Sequence, residues 1–222
     1  MANYKKNIIE KTLDPISDEQ SRRLVSMEKP DLRAFELWEE LCKQFDEEQN
    51  FKLKKCFDFT KDIDYKHKGI PNEIYFVHSL RVASISGLLS EIRSIDYPIL
   101  GLIHNVLEVS EISIAFLNKK FGKLISSQVN SLTVDRSRQW DKEYKKDYYD
   151  KINNKPHSCR VVKIIDKLDN LFLLYKNKDN DLKKKYLYEV EEYILPMVER
   201  DMSKLQEYFL KLIKHCKKTA IK

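Results

Sequence analysis

Apolar residues recur at three- and four-residue steps through most of the chain, the spacing that lines them up on one face of an α-helix. Asp18 to Met27 reads as a first helix, capped by Ser17. Asp31 to Phe45 follows, with Ala34, Phe35, Trp38, Leu41 and Phe45 on one stripe. Residues 46–70 are polar and mixed, and HKGIPNE, with Gly69 and Pro71, reads as a loop. Tyr75 to Ile92 carries a stronger stripe of Val82, Ile85, Leu88, Leu89 and Ile92. Asp96, as a cap, and Pro98 open the next helix, 98–108. Ile112 to Lys119 is short, and Phe121 to Val134 sets Phe121, Leu124, Ile125, Val129 and Leu132 on one face. DRSRQWDKEYKKDYYDK reads as a loop leading into a helix. Pro156 begins a long helix, with Val161, Ile164, Ile165, Leu168, Leu171, Phe172 and Tyr175 facing inward. Two helices at 181–195 and 197–217 follow, the second stretch including Leu205, Tyr208, Phe209 and Leu212 as packing residues. No segment alternates like a strand. The expected class is all-α, a single compact multi-helix bundle.

Composition narrows this further. The 222 residues can bury a core without disulfide or metal staples. With 42% hydrophobic and 34% charged residues, the chain is too apolar for disorder and too charged for a membrane protein. The lysines near the start are followed by no apolar stretch, so no signal peptide is expected. Cys42, Cys56, Cys159 and Cys216 form no CxxC pair and read as reduced thiols, which fits a cytoplasmic protein. Only 4 glycines occur, none close enough to another for a P-loop or a GxGxxG turn.

The net charge of +6 lies in the second half: residues 112–222 carry 25 basic and 15 acidic groups. That excess suggests an anionic partner, and a solvated lysine surface gives the same count. The basic residues form no continuous stripe, so nucleic acid is not the expected partner, nor is a membrane. Association into homo-oligomers stays open.

Polar residues interrupt the apolar helices. His78 follows IYFV, His104 and Asn105 divide GLI from VLE, and Asp166, Asp169 and Asn170 interrupt VVKII and LFLLY. Burying such a group without a partner costs about 1–3 kcal/mol. Taken singly, each suits a cap or a satisfied core histidine. Together they invite another reading. Asp166, Asp169 and Asn170 share one helix face, as do His104 and Glu108, and Arg81 lies a turn beyond His78. Two imidazoles and a carboxylate meeting at one point suit a divalent metal such as Mn, Fe or Zn.

The order His, His–Asn, Asp resembles the His, His–Asp, Asp signature of the HD-domain metal-dependent phosphohydrolases. IYFVHSLRVASI resembles "PYxxHPLRVA", GLIHNVLE resembles "ALLHDxxED", LNKKFGKLISSQVNSLT resembles "xxxFGxxVxxLVxxLT", and VVKIIDKLDNL resembles "xxKLADRLHNL". These stretches lie in order across residues 74–171 and are similar to the hydrolase domain of RelA/SpoT-type proteins, which remove the 3′-diphosphate from ppGpp. The resemblance implies an HD-like core at about 60–176, with N-terminal helices (17–50) and C-terminal helices (181–217) packed on it. It implies His78, His104, Asn105 and Asp166 as metal ligands, with Asn105 standing where the family has aspartate. It makes Glu108 the acid that orients water and handles protons, while Val109 replaces a second acid. Asn170 matches the residue at the nucleotide sugar, Lys167 matches an arginine, and Asp169 replaces a histidine.

The family's basic pair against guanine aligns with Gly69 and Ile70, leaving Lys66, His67 and Lys68 as nearby candidates. Arg136 and Lys145, within a charged stretch with Arg138, Lys142 and Lys146, either fold over the site and hold phosphates or belong to an exposed lysine-bearing loop. Trp140, Tyr144, Tyr148 and Tyr149 either stack on a base or, as the favoured reading, pack a short helix. The implied function is metal-dependent hydrolysis of a nucleotide or guanosine polyphosphate, or another small phosphate ester. Mn is the expected metal, with Zn, Fe or Mg as alternatives. The competing reading is an impaired relative that binds a nucleotide or protein partner without turnover, because Asn105 and Val109 have replaced acids.

Overall fold

A computed structural model describes residues 8–66 and 71–220 of the chain, with no strand among them. Residues 1–7 of the lysine-bearing start, and the candidates His67 and Lys68, lie outside the described residues. No helix among the described residues is long and apolar enough to cross a membrane. All four cysteines are free.

Helix α1 (Ile16–Val25) starts after Pro15 with no side-chain cap. The expected cap, Ser17, sits inside the helix and bonds Asp18 instead. Helix α2 (Leu32–Cys42) is capped by Asp31, which accepts the Ala34 amide. Helix α3 (Glu47–Lys61) occupies the segment read as mixed and polar. A capping box of Asp46 and Gln49 starts it, and only Leu53, Cys56 and Thr60 are buried along its length. So narrow a stripe leaves little periodicity to read.

Helix α4 (Asn72–Leu89) runs through the middle of the fold, with Leu80, Val82, Ala83, Ser84 and Ser86 fully buried. It is therefore covered on nearly every side, and its buried positions include serines as well as apolar residues. Its expected last residue, Ile92, lies past the helix end and is 53% exposed. Helix α5 (Asp96–Ile103) packs closely on α4. Ile95 takes the cap position and Asp96 is the first helical residue. A Cβ on Gly101 would lie 2.5 Å from the Ala83 Cα, so only glycine permits this approach. The expected helix 98–108 is broken at His104 and Asn105, after which a single turn, α6 (Val106–Val109), resumes.

Helix α7 (Ile114–Leu132) bends at Gly122, whose φ of 81° no other described residue approaches. This bend separates the two short pieces read from the sequence. Leu124, expected inside, is 65% exposed. Helix α8 (Lys142–Asn153), capped by Asp141, follows the charged loop. Helix α9 (His157–Leu171) starts after Pro156 and packs on α4, α5 and α7.

The chain closes with α10 (Asn180–Glu189), a π-helical turn at Val190–Ile194, α11 (Leu195–Asp201) and α12 (Gln206–Ala220). The expected break at 195–197 is absent. The wide turn takes up Pro196, which has no N–H to give, and the chain breaks at Met202 instead (φ −142°, ψ 47°).

Candidate metal centre and phosphate cleft

Three elements bring three ligand-type residues to one point. Helix α4 supplies His78, the break after α5 supplies His104, and α9 supplies Asp166. One ligand atom from each lies within 4.8 Å of the others. Asp166 Oδ1 is 3.5 Å from His78 Nε2 and 3.6 Å from His104 Nε2. The close contact of Gly101 with Ala83 permits this meeting, and the two rings stand 5.3 Å apart.

Both rings are turned by what holds their other nitrogen. His104 Nδ1 donates to the Gly101 carbonyl at 2.7 Å, and His78 Nδ1 donates to Asp169 Oδ2 at 2.8 Å. A carbonyl and an ionised carboxylate only accept, so Nδ1 carries the hydrogen and Nε2 faces the centre. Burial opposes protonation of His78, but its bonds to Asp166 and Asp169 outweigh it and raise the imidazole to about 9. Without a cation the ring therefore holds a second hydrogen, on Nε2, which a cation bound at this point would displace. Burial raises the Asp166 carboxyl, yet Lys163 and the two histidines hold it well below the usual carboxylate range.

Asn105 sits beside this cluster. Its Nδ2 donates to the Tyr75 hydroxyl at 2.9 Å, while its buried Oδ1 has no hydrogen-bond partner among the described residues. An unpartnered amide oxygen, two Nε2 atoms and a carboxylate oxygen form a donor set that suits a divalent cation. Ligands about 2 Å from one ion have spacings of this size. The residues present therefore fit a metal held by His78, His104 and Asp166, and Asn105 lines the same cleft with its amide oxygen unpartnered.

The cluster opens into a cleft of about 600 Å³. One wall is basic. Lys163 Nζ reaches the outer oxygen of Asp166 at 3.2 Å. Burial pulls its ammonium down, but Tyr148, Asp166 and Glu108 hold it above its ordinary value. Lys145 and Lys167 share the buried Glu189, at 2.9 and 2.8 Å. Burial, with Lys167 nearby, lowers Lys145 to about 8 against the pull of Glu189. Burial would raise Glu189, but its two lysines bring it down to about 2.

Most of the residues expected at the site line this cleft: Glu108, Arg136, Lys145, Lys167 and Asn170 all do. Glu108 is not free, since its Oε1 accepts the Val134 amide at 2.8 Å and its Oε2 is held by Arg136. Asn170 donates to Asp166 Oδ1 at 2.8 Å and so supports a ligand. Lys66 is not brought to the cleft. It pairs with Asp64 at 2.5 Å and faces a separate open groove alongside Asp58 and Asp62. Tyr148 and Tyr149 are buried packing residues, and of the four aromatic candidates only Trp140 lines the cleft.

Sequence reasoning missed Lys163. Its signal was present: it interrupts VVKII three residues before Asp166, on the same face. Tyr75 and Glu189 had no comparable signal, because their roles depend on which helices meet.

No family model matches the chain. The chain is 24% identical over 151 residues to a guanosine-3′,5′-bis(diphosphate) 3′-pyrophosphohydrolase of Aquifex aeolicus (strain VF5), a match covering 67% of this chain. It spans about a fifth of that relative's length (21%). A solved structure described as "A metazoan ortholog of SpoT hydrolyzes ppGpp and plays a role in starvation responses" has a similar fold. Its TM-score is 0.59 at 19% identity, over 74% of this chain and 94% of that one. The chain thus shares its fold with that metazoan SpoT ortholog.

Proposed function

We propose that the chain is a metal-dependent phosphohydrolase of the HD type that acts on a nucleotide polyphosphate, with ppGpp as model substrate and Mn as the preferred metal. The observation that carries this is the meeting of His78 Nε2, His104 Nε2 and Asp166 Oδ1 at the floor of a cleft with a lysine wall. A divalent cation bound there supplies Lewis acidity and lowers the pKa of water toward neutrality.

The chain's own residues supply the rest. Lys163, Lys145 and Lys167 neutralise phosphate charge along one wall. Arg136 competes for phosphate from the cleft mouth. Glu108, released from Arg136 as the arginine turns to substrate, takes the proton from the attacking water. The water oxygen bonds to phosphorus, the P–O bond to the nucleotide oxygen breaks, that oxygen takes up the proton held by Glu108 to become a hydroxyl, and pyrophosphate is released.

The test is phosphate and pyrophosphate release from a panel of nucleotides that includes ppGpp, with Mn²⁺ present, alongside elemental analysis of the purified protein. Release that needs Mn²⁺ and disappears in His104→Ala supports the reading. Absence of any release across the panel ends it.

One observation favours a second reading, binding without turnover. Both Glu108 oxygens are engaged, and the neighbouring position is the buried, apolar Val109. On that reading a nucleotide raises the melting temperature and no product forms.

A further inference from the structure

The His78 ring is steered from behind by a carboxylate that cannot turn. Asp169 Oδ2 accepts His78 Nδ1–H at 2.8 Å and Arg81 Nη2–H at 3.0 Å. Asp169 Oδ1 accepts Arg81 Nε–H at 2.8 Å and Arg23 Nε–H at 2.9 Å. Arg23, Arg81 and Asp169 are all buried. Arg23 reaches in from α1, paired with Glu19 and lying 4.1 Å over the Phe172 ring. Arg81 extends its other arm to Asp31, the cap of α2, at 3.1 Å. Two N-terminal helices are thereby tied, through Asp169, to the back of one imidazole.

We infer that Asp169 is a positioning residue: it fixes the hydrogen of His78 on Nδ1 and turns Nε2 toward the point shared with His104 and Asp166. This rests on the metal-centre reading above. In the motif that the sequence resembles, this position is histidine, so the contact belongs to this chain. An ionised carboxylate offers no hydrogen and therefore selects the Nδ1–H form of the ring. An anionic acceptor there also strengthens Nε2 as a metal donor.

The geometry says what an amide would do in the same place. In Asp169→Asn, an NH₂ group on the Oδ1 side meets two arginine Nε–H donors. On the Oδ2 side it meets one arginine N–H and His78. Of these partners only the imidazole can change from donor to acceptor. The amide nitrogen therefore settles against His78 Nδ1 and drives the ring hydrogen to Nε2, where it blocks a metal. The shape is kept and the tautomer reversed.

The experiment uses the full chain labelled with ¹⁵N, as wild type and Asp169→Asn. Hydrogen-bonded Nδ1–H signals are expected for both His78 and His104 in wild type, with or without Zn²⁺. In D169N the His78 signal is lost, while that of His104, bonded to the Gly101 carbonyl, remains. Zn²⁺ affinity, read by competition with a chromophoric chelator, falls about 10–100-fold. Persistence of the His78 Nδ1–H in D169N, or Zn²⁺ affinity within about twofold of wild type, overturns the inference. Absence of that signal in wild type overturns it too, and needs no variant to fold. If wild type takes up no Zn²⁺ while the two signals behave as described, the positioning role stands and the metal-centre reading fails.

Discussion

Arg136 closes over Glu108 at the mouth of the cleft, its Nη2 and Nε at 2.7 and 2.9 Å from Oε2. The two partners differ in exposure: the Arg136 side chain is 61% exposed and that of Glu108 only 7%. A half-exposed ion pair of this kind is worth about 0–1 kcal/mol. An arriving phosphate can compete for the exposed arginine and leave Glu108 Oε2 open to the cleft, while Oε1 keeps the Val134 amide.

The two side chains should separate kinetically. Arg136→Gln is expected to raise KM for a polyphosphate about tenfold or more, since hydrogen bonds to charged groups contribute about 1.5–3 kcal/mol. Glu108→Gln is expected to lower kcat about 10²–10⁴-fold with a small effect on KM. Steady-state pyrophosphate release from ppGpp with Mn²⁺ reads both. An unchanged kcat in E108Q removes Glu108 from proton handling.

On the proposed metal-centre reading, Asn105 tunes how strongly the centre holds its cation. Its unpartnered oxygen is neutral, whereas a carboxylate there adds charge. Asn105→Asp is expected to raise Mn²⁺ affinity at least tenfold, by analogy with the about 10–100-fold cost of losing a supporting group. His104→Ala should abolish uptake and, by leaving the Gly101 carbonyl unbonded, cost about 1–3 kcal/mol of stability. Titration calorimetry with Mn²⁺ and thermal melts separate the two effects. Equal Mn²⁺ affinity for wild type and N105D would remove Asn105 from the donor set.

The residues that were legible in the sequence are those whose helix would otherwise be apolar. His78, His104, Asn105 and Asp166 stand out against IYFV, GLI and VVKII; the fold brings His78, His104 and Asp166 to one cluster, and Asn105 lines the cleft beside them. What the sequence hid depends on tertiary contact. Helix α3 buries only three residues and so showed no stripe. Leu124 and Ile92 fit a helical period yet lie in solvent, because period marks a face and not what covers it. Lys66 was a candidate by nearness in sequence to a missing basic pair, and it turns to Asp64 instead. Asp169 read as a departure from a motif, and its tie to His78 appears only when Arg23 of α1 and Arg81 of α4 are seen to close on it.

The approach of α5 to α4 sets the distance between the two histidines. In Gly101→Ala the new methyl would lie 2.5 Å from Ala83 Cα and 2.8 Å from Ala83 N. These are backbone atoms, so no side chain can move aside and the helices must part. Alanine adds about 1 kcal/mol of helix propensity over glycine, and overpacking of this kind costs about 1–3 kcal/mol or more. G101A is therefore expected to melt lower and to bind Mn²⁺ more weakly, as His104 is carried away from His78. A variant that melts higher with unchanged metal affinity would show that the contact relaxes freely.

Acid stability depends on a pair remote from the cleft. Asp201, at the end of α11, meets Arg160 of α9 through two bonds of 2.8 Å. Burial would raise its carboxyl, but Arg160 and Arg200 outweigh that and bring it down to about 2. In an unfolded chain the same group titrates near 3.9. The folded protein therefore gives up this proton more readily, and the resulting stabilisation is complete above about pH 4. It is lost as the pH falls through about 2, where both states are protonated. In Asp201→Asn the arginine keeps a hydrogen-bond partner and loses its anion. The melting-temperature gap between wild type and D201N should be widest at pH 5 and above, and should narrow steadily between pH 4 and 2. A gap that keeps its size down to pH 2 would mean that the charge of Asp201 contributes nothing to holding α11 on α9.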